Sequence, residues 1–163
     1  MTRSNEQDSS AGVGCAQPTG HRSTEGMPTD RGMKVVIEAV AAPARSLQVR
    51  LTNETGAPIT VPRHSPPWAN AYSALVVAVK TDAPGTVLER STPVDDPLVG
   101  SLTIQPDETL SGRIDLDCRF PGLADALMEH DVVVFWSFQL DPVDRTPLPR
   151  AGGWVLLPRQ PAR

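Results

Sequence analysis

Cysteine is scarce in this 163-residue chain, and the two present, Cys15 and Cys118, are separated by most of its length. A disulfide framework needs several cysteines and an oxidising compartment, so a stapled secreted scaffold is excluded and two free thiols are expected. Cys118 ends an alternating segment and reads as a small buried apolar side chain. Lysine is equally rare, with Lys34 and Lys80 the only ones. Arginine carries the basic charge, and the abundance of Ala, Pro, Val and Asp points to a GC-rich bacterial coding sequence. The formal net charge is −4, with no long run of either sign. There is thus no basic stripe for nucleic acid and no basic amphipathic helix for a membrane surface. No apolar run is long enough to cross a bilayer as a helix. Met1 to Ser10 lack the apolar segment of a signal peptide, so a cytoplasmic location is expected.

Several chemistries lack their signatures. Phosphate-binding glycine loops and dinucleotide fingerprints do not occur. His21, His64 and His130 lie far apart, without zinc-ligand spacing. The carboxylates at Asp95-Asp96, Asp107-Glu108, Asp115/Asp117 and Glu129/Asp131 do not follow a calcium-loop pattern. The acids that alternate along 110–118 read as a solvated sheet face that discourages edge pairing. His64 and Ser65 are neighbours, but neighbours on an extended backbone point in opposite directions. No Gly-x-Ser-x-Gly turn accompanies any serine. The expectation is a non-enzymatic protein with no catalytic residue, metal or cofactor.

What is present begins at Met33. Residues 1–32 are rich in Ser, Thr, Gly, Gln, Asp and Glu, and Val13 is their only β-branched aliphatic residue. Such a segment cannot bury enough apolar surface to offset its ordering entropy, so a disordered tail is expected. Met27 and Met33 offer alternative starts, which N-terminal sequencing of the native protein would distinguish. The domain is expected over 33–158, a usual single-domain size of about 125 residues, with 159–163 a frayed C-terminus.

The apolar period across this domain is two rather than 3.6. Leu47, Val49 and Leu51 alternate with polar residues, as do Leu110, Gly112, Ile114, Leu116 and Cys118. Ile59 and Val61, bounded by Pro58 and Pro62, make a short edge strand. Leu75 to Val79 reads as a central strand, Thr86 to Arg90 as its hairpin partner, and Leu102 and Ile104 as a short strand. Residues 91–100 read as a crossing loop. Val132 to Leu140 is apolar on both faces for part of its length, and Trp154 to Leu157 closes the set. Residues 121–129 are the single helix candidate, with Pro121 at its start. About seven to nine short strands with regular turn signals predict an all-β sandwich with one short connecting helix.

Three segments carry a resemblance. Leu51-Thr52-Asn53 is followed by a turn and Ala57-Pro58-Ile59. Leu102 to Leu110, with Gln105-Pro106-Asp107-Glu108 at its centre, precedes Ile114-Asp115-Leu116. The third segment is the strand Val132 to Leu140. The layout resembles bacterial immunoglobulin-like β-sandwich modules, including the intracellular proteinase-inhibitor type, over most of 34–140. Those modules carry a glycine where this chain has Asp107. The resemblance implies an immunoglobulin-like antiparallel sandwich and, for the inhibitor type, action on a protease.

The most distinctive segment is Arg63-His64-Ser65-Pro66-Pro67-Trp68-Ala69-Asn70-Ala71-Tyr72. Its prolines pre-order the backbone and lower the entropy lost on docking. Trp, Tyr and Arg are frequent interface anchors. Arg63, His64, Trp68 and Tyr72 are therefore the candidate binding residues of a protein-binding module. For Trp68 the alternative is that it folds back and caps one end of the sandwich. An unidentified protein partner is expected, with no nucleic acid or membrane. The specific version is an intracellular protease inhibitor acting through 62–72. The competing version is a self-associating structural protein, a homodimer formed through the two-sided strand 132–140.

Overall fold

The structure is a computed structural model that describes residues 33–40, 45–91, 99–144 and 147–160. The expected tail over 1–32, most of the crossing loop (92–98) and residues 161–163 lie outside the described residues. Among the described residues there are eight strands and two short helices. The strands are β1 (Met33–Val40), β2 (Ser46–Asn53), β3 (Ile59–Pro62), β4 (Leu75–Lys80), β5 (Ser101–Ile104), β6 (Thr109–Asp115), β7 (Val132–Phe138) and β8 (Ala151–Leu157). The helices, α1 (Leu116–Arg119) and α2 (Leu123–Glu129), lie between β6 and β7.

All pairings are antiparallel. The order β1-β2-β6 forms one sheet, β3-β5 a two-stranded ribbon, and β4-β7-β8 a second three-stranded sheet. Alternation along each strand sorts the side chains. In β2, Leu47, Val49 and Leu51 are buried, while Gln48 and Arg50 are exposed. In β7, Val132, Val134, Trp136 and Phe138 are buried. With Ile59 and Val61 of β3, Ile104 of β5, and Leu123 and Leu127 of α2 they form one continuous cluster. The expected hairpin partner over 86–90 is a single bridge, Val79 to Val87, flanked by Lys80 N–H donating to the Thr86 carbonyl and Leu88 N–H to that of Ala78.

Asn53 joins the two turns that carried the resemblance. Fully buried, it donates from Nδ2 to the Ala57 and Ile104 carbonyls (2.8 and 2.9 Å) and accepts at Oδ1 from Thr55. Its backbone N–H donates to the Glu108 carbonyl, and Asp107 N–H donates to its own carbonyl. Asp107 has φ 60°, the left-handed conformation that favours glycine and that aspartate tolerates better than most residues.

The strand expected to run to Cys118 stops at Asp115, and a second helix, α1, takes its place. The Asp115 carboxylate accepts from Cys118 N–H at 2.9 Å, which satisfies one of the N–H groups a helix start leaves without an intrahelical acceptor. Cys118 is consequently an exposed free thiol rather than a buried one. Asp115 and Asp117 are also not a simple solvated row: Asp115 caps the helix, and Asp117 pairs with Arg45 Nε at 2.6 Å. At the other end of the domain, Arg159 N–H donates to Asp131 Oδ1 and Gln160 N–H to the Leu127 carbonyl.

Candidate functional site

The segment between β3 and β4 is a loop held from behind. Its first turn is closed by Ser65 N–H donating to the Pro62 carbonyl, its second by Ala69 N–H donating to that of Pro66 (2.9 and 2.8 Å). Pro66 and Pro67 are both buried. Asn70 ties the loop across: Nδ2 donates to the His64 carbonyl, while Oδ1 accepts from the N–H groups of Tyr72 and Ser73. The Ser73 hydroxyl donates to the same His64 carbonyl.

Arg119 reaches the loop from beneath. It is the last residue of α1 and only 8% exposed. Nη1 donates to the carbonyls of Ala71 and Ala74 (3.1 and 3.2 Å), and Nη2 to that of Asn70 at 3.1 Å. Arg90 Nη2 donates to the Ala71 carbonyl as well. A planar guanidinium fork can serve several carbonyls at once, which a lysine ammonium on a flexible stem does less well. The loop is also joined to the crossing loop, where Arg63 N–H donates to the Gly100 carbonyl at 3.0 Å.

The four candidate residues divide. Trp68 is half-buried and packed against the core. Its indole lies over Gly112 of β6, where a Cβ would come within 2.0 Å of Trp68 Cδ2. Arg63, His64 and Tyr72 are exposed. Tyr72, at 64% exposure, stands with Arg90 over its ring at 5.9 Å, within reach of a cation–π contact. The structure therefore brings Arg63, His64 and Tyr72 onto one short ordered loop, with Trp68 anchored inward.

Sequence reasoning missed Arg119, Asn70 and Arg90. Arg119 follows Cys118 in what reads as strand and loop, and nothing local marks it as buried. Gly112 did carry a signal, since a glycine inside a strand marks close approach of another group. Gly153 in β8 repeats the device opposite Trp136, whose ring would lie 3.0 Å from a Cβ there.

Two carboxylates and a thiol outside the loop are shifted. The Thr86 backbone N–H, with Lys80 beside it, holds the Asp82 carboxyl well below the usual carboxylate range. The Cys118 backbone N–H lowers the Asp115 carboxyl from its ordinary value. The negative charge of Asp115 in turn raises the Cys118 thiol. Among the described residues no group of three or more His, Cys, Asp or Glu side chains is placed to hold a metal ion. No helix among them is long and apolar enough to cross a membrane.

A second surface differs in kind. The outward side chains of the β4-β7-β8 sheet include exposed Leu75, Phe135, Trp154 and Leu156, with Val87 alongside. The outward side of β1-β2-β6 carries Lys34, Arg50 and Arg113 among threonines, Gln48 and Ser111. No protein-family model, curated protein or solved structure matches this chain.

Proposed function

We propose that this chain is an immunoglobulin-like antiparallel β-sandwich that serves as a non-enzymatic protein-binding module, with the loop over 62–72 as its recognition element. The carrying observation is that the loop backbone is fixed by Arg119, Asn70 and Arg90 while Arg63, His64 and Tyr72 project outward. A binding loop that is already ordered loses little entropy on docking, and that saving appears as affinity. A phenol, a guanidinium and an imidazole suit the half-polar anchoring found at protein interfaces.

The sandwich reading is supported by the strand order. The first, second and sixth strands pair, as do the fourth, seventh and eighth. This matches the A-B-E and C-F-G groupings of immunoglobulin-type domains, with β3-β5 as an added ribbon. A cytoplasmic setting fits the exposed free thiol at Cys118. A locked loop is also what a protease inhibitor presents, so an intracellular protease is the specific partner class to assay first.

The test is capture from native lysate by the whole chain, beside an Arg63→Ala, His64→Ala, Tyr72→Ala variant. These side chains are exposed, so the variant is expected to melt with the parent. A stoichiometric partner held by the parent and lost by the variant supports the reading. Equal capture by both moves the interface off the loop and contradicts it.

A further inference from the structure

The outer face of the β4-β7-β8 sheet consists of three rows across the strands: Leu75, Ser137, Gly152; Val77, Phe135, Trp154; and Val79, Val133, Leu156. None of these residues is charged. Val87, bridged to Val79, extends the third row and is 61% exposed. Natural sheets blunt exposed faces and edges with lysine, proline or inward-pointing charge. The outward side of β1-β2-β6 follows that rule, and this face does not.

We propose that this face is the interface of a homodimer in which two copies stack their β4-β7-β8 sheets. Leu75, Phe135, Trp154 and Leu156 each keep 46 to 53% of their surface. Together with Val87 they leave on the order of 500 Å² of apolar area, given the roughly 150–250 Å² that a large aromatic side chain can bury. The half-buried valines and the polar rim extend the face toward the roughly 800 Å² that each partner gives to a standard interface.

The face is also self-complementary in relief. Its first row has only small side chains at Ser137 and Gly152, with Arg150 Nη1 donating to Ser137 Oγ at 3.4 Å, and leucines stand at two other corners. A twofold axis lying in the interface across the strands sets Leu156 of one copy over Gly152 of the other. An axis along β7 sets Leu75 there instead. Either arrangement fills the hollow with a leucine and repeats the contact by symmetry, as an isologous interface requires. Residues 1–32 of the same chain are a poor cover, because Val13 is their only β-branched aliphatic residue. The nine positions carry no charge of their own, and the one guanidinium shown reaching them among the described residues, that of Arg150, stands at the first row beside Ser137 Oγ.

The test is sedimentation equilibrium of the full chain beside Phe135→Lys and Leu156→Lys, with folding of each followed by circular dichroism. The parent is expected to be a dimer. Each folded variant is expected to dissociate at least ~100-fold more readily, because a lysine would be buried without a partner in both copies. Leu156 lies on the edge strand and is half exposed, so its variant decides the matter if Phe135→Lys fails to fold. A parent that stays monomeric at the highest attainable concentration overturns the proposal, and so does a dimer that both variants leave intact. A monomeric parent that takes up a different protein on this face overturns it too. Neither substitution touches the 62–72 loop, so loss of the dimer and loss of lysate capture are separate results.

Discussion

Gly112 is a glycine because the Trp68 indole stands where its side chain would be, with Cδ2, Cγ and Cε2 all within 2.3 Å of an added Cβ. The tryptophan arrives from a loop and the glycine from β6, so neither explains itself alone. Overpacking a filled site costs about 1–3 kcal/mol, and here the obstacle is a rigid ring rather than the end of a flexible chain. Gly112→Ala is expected to lower unfolding stability by about 3 kcal/mol in urea titration. In a Trp68→Ala background the same substitution is expected to cost less than about 1 kcal/mol, because the clash is gone. Additive costs would show that the two residues do not meet. The composition of the loop marked Trp68 as either anchor or cap, and the loop sequence alone offered no way to choose. The deciding residue, Gly112, is distant in sequence and was visible only as an interruption of an apolar alternation.

At the scale of elements, period-two alternation located most strands, because one face of each is packed and the other is not. It failed at Leu116–Arg119. The alternation of Leu116 and Cys118 with Asp117 suits a strand as well as a single helical turn, and the cap made by Asp115 decides for the helix. That cap titrates. The folded-state pKa of Asp115 is depressed, so its stabilisation is fully present above the ordinary aspartate value of about 3.9 and is lost as pH falls through the folded value. Asp115→Asn is expected to flatten the part of the pH–stability profile below about pH 4, read as urea midpoints. The same substitution removes the charge that raises the Cys118 thiol. Alkylation of Cys118 near pH 8, followed by peptide mapping, is therefore expected to be slow in the parent and faster in Asp115→Asn. Unchanged rates would remove Asp115 as the cause. Asn53 shows the opposite case. Its two flanking turns were legible as grammar, and the structure adds only that one buried carboxamide serves both.

Across the whole molecule, two features of the fold stand out, a fixed loop and a largely apolar sheet face. The loop was legible as a rigid, aromatic, proline-bearing segment. Its rigidity has a source the sequence hid, because Arg119 belongs to a helix that alternation did not reveal, and its carbonyl partners lie far away in the chain. The apolar face was half legible: the alternate apolar residues of 132–140 implied two covered sides, and the structure covers one. Whether a module binds through such a loop depends first on the loop holding its shape unbound. Native-state amide exchange of Ser65, Ala69, Tyr72 and Ser73, whose N–H groups all close the loop, tests this most directly. The account predicts exchange at least ~100-fold slower than in an unstructured peptide, and a return toward the peptide rate in Arg119→Lys while the β2 and β7 amides stay protected. Peptide-like exchange at these four amides in the parent chain would contradict a preformed recognition loop.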